Sequence, residues 1–198
     1  MLLIKNGLIR PIDGEDIPDG QVLIDNGKIL AVGKTVEAPA GAEILDASGC
    51  LVAPGFVEGH CHIGLDEEAI GFEGADYNES TDPVTPHMRG IDGLNPMDEA
   101  LFDAYSHGVT TAVTGPGSAN PVAGQICAMK TLGRVTDEMV IKAPVGMKFA
   151  LGENPKNVHK GHGPATRMAT AALIREKLSQ ALDYELRCVR AESDCQMD

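Results

Sequence analysis

Two histidines separated by one residue close the segment Pro54-Gly55-Phe56-Val57-Glu58-Gly59-His60-Cys61-His62. The apolar run Leu51-Val52-Ala53 leads into it, and Phe56-Val57 follow the Pro-Gly break. On a strand, side chains alternate faces, so His60 and His62 point one way and Cys61 the other. Two imidazoles one pleat apart can hold one metal ion. Ordinary hydrogen bonds would satisfy a bare pair of this kind equally well. The setting narrows the choice: the pair ends a strand that reads as buried, and a long carboxylate-bearing loop follows it. An α/β barrel places its chemistry at such strand ends.

Taken in order, residues 1–54 read as short strands joined by tight turns. Leu2-Leu3-Ile4 meets Asn6-Gly7, and Gln21-Val22-Leu23-Ile24 meets Asp25-Asn26-Gly27. Asn-Gly between apolar runs predicts a hairpin, because both central residues must take positive φ. These strands read as structural support without chemistry. Residues 55–62 form the next strand. From Ile63 to about Leu94 runs a loop with eight carboxylates against one basic residue, Arg89. Loops this long in compact domains are usually functional or disordered, and an active-site loop fits here. Asn95-Pro96 predicts a helix start, with Asn95 as cap and Pro96 at the first helical position. Gly108 ends that helix, and His107 in its last turn reads as structural.

Val109-Thr110-Thr111-Ala112-Val113-Thr114 has the composition of a buried parallel strand. The Gly- and Pro-rich turn after it, residues 115–121, is expected on the same rim as His60 and His62. Residues 124–130 read as a third strand, residues 139–141 as a short edge segment, and Gly146 to Phe149 as a fourth strand. Lys148 lies inside that apolar strand, where a free ammonium is unfavourable. Glu153 follows just after it. His159 and His162 sit in a basic loop, and their spacing does not repeat the strand geometry of His60 and His62. Residues 166 to about 192 carry an apolar stripe near helical spacing, which reads as packing. The succession of strands and helices predicts an α/β barrel.

The segment Pro54 to His62 resembles the metal-binding signature of the metal-dependent amidohydrolase superfamily. More narrowly, the chain looks like the imidazolonepropionase-related amidohydrolases, from the first hairpins to about residue 192. Glu58 departs from the pattern, which usually has Asp there. The resemblance implies an α/β fold: a partial (β/α)8 TIM-type barrel over residues 55–198, preceded over residues 1–54 by part of a small composite β-sandwich. It implies hydrolysis of a C–N bond other than a peptide bond, in a cyclic amide or related small molecule. A divalent metal follows, zinc by its ligands, with iron or manganese also fitting. His60 and His62 would be ligands. Some members of the superfamily add a carboxylated lysine and others a glutamate, which makes Lys148 and Glu153 candidates. The run Ala150-Leu151-Gly152-Glu153, read as a strand end presenting a carboxylate, favours Glu153.

A full barrel needs about 250 residues, and the residues after Pro54 leave room for about four strands. The family's later histidines, and the aspartate that acts as general base, have no counterpart in the 198 residues. That aspartate is expected beyond residue 198. The chain is therefore expected to be the N-terminal half of a longer protein, inactive alone, or else a non-catalytic half-barrel needing a partner chain. Self-association is left open. The net charge of −13 argues against nucleic acid or an anionic membrane as partner. Five scattered cysteines form no disulfide framework, which points to a reducing cytoplasm.

Overall fold

A computed structural model describes residues 1–68 and 70–195, with side chains as far as Ala191. The chain divides into two compact units, Met1–Gly55 and Phe56–Asp198.

The first unit is one five-stranded sheet. Its strands are β1 (Leu2–Ile9), β2 (Ile17–Asp25), β3 (Lys28–Gly33), β4 (Glu43–Asp46) and β5 (Leu51–Val52). The order is β3-β2-β1-β4, with β5 also pairing β1. Asp25 pairs with Lys28 across a two-residue turn, and Asn26 and Gly27 take φ of 48° and 73°. This is the hairpin geometry their sequence predicts. Asn6-Gly7 behaves differently. Asn6 takes φ of 66°, but β1 continues through it with a register shift between Lys5 and Gly7. It is a bulge rather than a turn, tied by Asn6 Nδ2 donating to Asp46 Oδ1 at 3.0 Å.

The second unit holds a four-stranded sheet in the order β6-β7-β8-β9. The strands are β6 (Phe56–Cys61), β7 (Val109–Thr114), β8 (Val122–Lys130) and β9 (Val140–Phe149). β6 and β7 are parallel. Between them lie the long loop, the one-turn α1 (Gly90–Gly93) and α2 (Glu99–Ser106). β7 to β9 are antiparallel. The reason is the length of the links. A parallel return needs a crossover of a dozen or more residues, and the turn from Gly115 to Pro121 is too short for one. The link to β9 holds only the single turn α3 (Thr136–Met139). Two helices follow, α4 (Glu153–Val158) and the 29-residue α5 (Arg167–Cys195). Among the described residues no helix is long and apolar enough to cross a membrane.

Burial in this unit centres on Leu65, Leu94, Leu101, Met129 and Met139, with Ile63 and Tyr77 against them. α2 starts later than the sequence suggests. Its cap is Asp98, whose buried carboxylate accepts Ala100 N–H at 3.2 Å and Gly64 N–H at 2.9 Å. Asn95 instead forms a turn, accepting Met97 N–H at 2.9 Å. One carboxylate thus caps α2 and pins the loop that follows His62. β6 is exposed rather than buried, with Phe56 and Val57 open, because it is the edge strand of its sheet.

Candidate metal centre

β6 ends at Cys61, and its pleat sets His60 and His62 on one side with ring centroids 5.4 Å apart. Each ring is fixed by a different partner. His62 Nδ1–H donates to the carbonyl of Gly115 at 2.8 Å. A carbonyl only accepts, so Nδ1 keeps its proton and the lone pair of neutral His62 lies on Nε2. Tyr77 stacks against the ring, centroids 5.2 Å apart and tilted by 30°. The 115–121 turn therefore meets the histidines as its position after β7 suggests. Gly115 has no room for a side chain, since a Cβ there would stand 2.9 Å from Ile126 Cα.

His60 is held from two sides. Its backbone N–H donates to Glu58 Oε1 at 2.9 Å. Lys148, on β9, brings its Nζ to 3.2 Å from His60 Nε2. An ammonium can only donate, so Nε2 of His60 is the acceptor and carries no proton. The charge of Lys148 is the main reason His60 is pushed below the ordinary imidazole range, followed by burial and by His62, while Glu58 opposes. Burial in turn pushes Lys148 below the usual lysine range. Cys61, on the other face, donates to Val113 O at 3.6 Å, and burial raises its thiol.

His60, His62 and Lys148 are thus brought together. Glu153 is not with them: it opens α4 and its carboxylate is taken by Lys156 at 2.6 Å and Arg167 at 2.9 Å. Those two partners hold it below the usual glutamate range. Among the described residues no three His, Cys, Asp or Glu side chains are grouped to hold a metal ion. The fit to a divalent cation is consequently that of two imidazoles with bare Nε2 atoms. Lys148 fits such a centre only when it is not an ammonium.

Beside His62 is a cleft of about 240 Å³ bordered by Tyr77, Asn78, Ser118, Asn154 and Asn157. Its walls mix these polar groups with Ala119 and Val158 and include no carboxylate or ammonium. Asn78 is locked by accepting Ala119 N–H at 3.1 Å. Sequence reasoning marked none of these residues individually, because isolated neutral side chains carry no charge pattern or spacing. Tyr77 alone offered a cue, as one of three tyrosines in the chain.

His159 and His162 lie elsewhere, at the end of α4. His159 is fully buried. Its Nε2–H donates to Asn120 Oδ1 at 2.7 Å. Asn120 Nδ2 donates to Thr85 Oγ1 at 2.8 Å and to Glu79 O. His107 caps α2, with Nδ1–H donating to Asp103 O at 2.8 Å.

A crystal structure of an amidohydrolase from Thermotoga maritima is similar to 94% of this chain, with 44% identity and a TM-score of 0.89. The amidohydrolase tasK of Hapsidospora irregularis is 33% identical over 90% of the chain. The chain belongs to the amidohydrolase superfamily. A D-hydantoinase of Geobacillus stearothermophilus is 41% identical over 63 residues, 32% of the chain. No family model matches. The chain spans 49% of the Thermotoga protein, 21% of tasK and 13% of the D-hydantoinase.

Proposed function

We propose that this chain supplies the metal-binding rim of a metal-dependent amidohydrolase that opens C–N bonds other than peptide bonds. The substrate in this reading is a small uncharged molecule of the cyclic amide kind. The observation that carries it is the bond from His62 to the Gly115 carbonyl, which leaves Nε2 of His62 unprotonated with its ring next to that of His60. Second-partner hydrogen bonds of this kind orient metal-binding histidines. The named activities of the relatives, amidohydrolase and hydantoinase, support the reaction class.

His60 and His62 would hold the ion, with Lys148 rather than Glu153 on its near side. Glu153 is already neutralised by Lys156 and Arg167, whereas Lys148 touches His60. Converted to a carbamate, as the family resemblance implies, Lys148 would present oxygens instead of a positive charge. A bound divalent ion would polarise the scissile carbonyl and acidify a water. The chain's own part is to orient: Tyr77 offers a flat face beside His62, and Asn78, Asn154 and Asn157 offer amide groups to an uncharged polar ring. The fold in this reading is the start of a (β/α)8 barrel, with β6 and β7 as its first parallel pair and Met1–Gly55 as part of a sandwich. The cation is zinc, iron or manganese.

The test is metal content of the protein from its native source, alone and as the His60→Ala/His62→Ala variant. The expected result is loss of one equivalent in the variant, together with loss of hydantoin or dihydrouracil hydrolysis in the native assembly. Full metal content and unchanged hydrolysis in the variant would sink the proposal.

A further inference from the structure

His159 Nδ1 faces His162 Nε2 at 3.4 Å, with the two rings nearly perpendicular at 76°. We propose that these two nitrogens form a second divalent-metal site, separate from His60 and His62, for a borderline cation such as zinc, cobalt or nickel.

Three observations converge on it. The first concerns the proton of His159. Asn120 Nδ2 is spent on Thr85 Oγ1 and Glu79 O, so Asn120 Oδ1 is the atom that faces the ring. It can only accept, which places the proton on His159 Nε2 and leaves Nδ1 bare. A buried amide acceptor behind a histidine is the arrangement that orients metal ligands. The second is spacing. With metal–nitrogen bonds of about 2.1 Å, nitrogens 3.4 Å apart subtend about 108° at the ion, close to the tetrahedral angle. The third is access. His159 is fully buried but His162 is exposed, so solvent can fill the remaining coordination positions.

Loading the site would have a structural effect. It would clamp the 159–163 loop to Asn120 and through it to Thr85. His159 follows directly on α4, which carries Asn154 and Asn157 at the cleft beside His62. The ion would therefore stiffen one wall of that cleft without touching it.

The experiment is a Zn2+ titration of the EDTA-treated full chain by calorimetry, with His60→Ala/His62→Ala and His60→Ala/His62→Ala/His162→Ala beside it. The expected result is one equivalent of zinc bound by the double variant and none by the triple. Absence of zinc binding by the double variant, or retention by the triple, would overturn the proposal. His162 is exposed, so its removal leaves the buried network in place. A second measurement uses only the unaltered protein: long-range 1H–15N spectra of its imidazoles on adding Zn2+. Shifts at His159 Nδ1 and His162 Nε2 support the site. A fixed His159 Nδ1 resonance at saturating zinc means that the pair shares a proton only, and the proposal fails whatever happens at His60 and His62.

Discussion

The molecule holds two histidine pairs, and they are built in opposite ways. His60 and His62 are set by the pleat of an edge strand, with His60 exposed and His62 half-buried. His159 and His162 are set by a helix end, with one ring buried to the last atom and the other in solvent. In the first pair a backbone carbonyl and a lysine hold the rings, so the local chain can tolerate their loss. In the second, a chain of buried side chains runs from Thr85 through Asn120 to His159, and each member satisfies the next. A pair on an edge is available for chemistry, whereas a pair in a network is first of all a joint.

That contrast predicts unequal costs. His159→Ala would leave a cavity and an unsatisfied Asn120 oxygen, and should lower stability by about 2–4 kcal/mol. His60→Ala, at an exposed position, should change it by less than about 0.5 kcal/mol. Urea denaturation of the metal-free chain compares them directly. Equal costs would erase the distinction between joint and site.

A smaller effect sharpens it. The folded protein holds His159 below the ordinary imidazole range, chiefly through burial. The unfolded chain then binds more protons than the folded one below about pH 6.5. The stability that His159 contributes is therefore present above that pH and is lost as the pH falls through the folded value. Denaturation curves between pH 7 and pH 5 should show a steeper loss for the natural protein than for His159→Gln. Parallel profiles would mean that His159 titrates freely.

The smallest effect is at the other pair. Lys148→Met removes the charge that most depresses His60. In the metal-free chain the His60 pKa should move up toward the ordinary imidazole value, read by NMR titration of its ring protons. A downward move would place another cation at Nε2.

Much of the sheet-forming chain is legible as residues. Asn26-Gly27 makes the hairpin it spells, the β-branched run of β7 is a strand, and the stretch after residue 166 is a helix, but its apolar stripe does not pack as expected: Met168, Leu178, Leu182 and Leu186 are exposed. Asn6-Gly7 shows where such reading stops. The dipeptide is the same, but β1 pairs with β2 on one side and with β4 and β5 on the other. Those ladders carry the strand straight through, and the positive φ is spent on a bulge. Strand direction was hidden for a related reason. Composition marks residues 124–130 and 146–149 as strands but says nothing of their polarity, which the short links decide. At the site, the His60–His62 pair was legible from spacing alone. The contact between Lys148 and His60 was not, because it joins β6 to β9 across the register of a whole sheet. The ion pairs of Glu153 with Lys156 and Arg167 were not legible either, because Arg167 meets Glu153 only in the fold.

The Gly115 carbonyl has a consequence for how this chain can drift over generations. The group that fixes the tautomer of His62 belongs to the main chain, so no replacement of a side chain can delete it. The usual route to moving it, a larger residue at position 115, is closed by Ile126, whose backbone already occupies the space. The most sensitive orientation at the site is thereby guarded by crowding from the neighbouring strand β8. Tolerance to change at Ile126, on the strand next to β7, becomes a measure of how firmly the histidine is aimed.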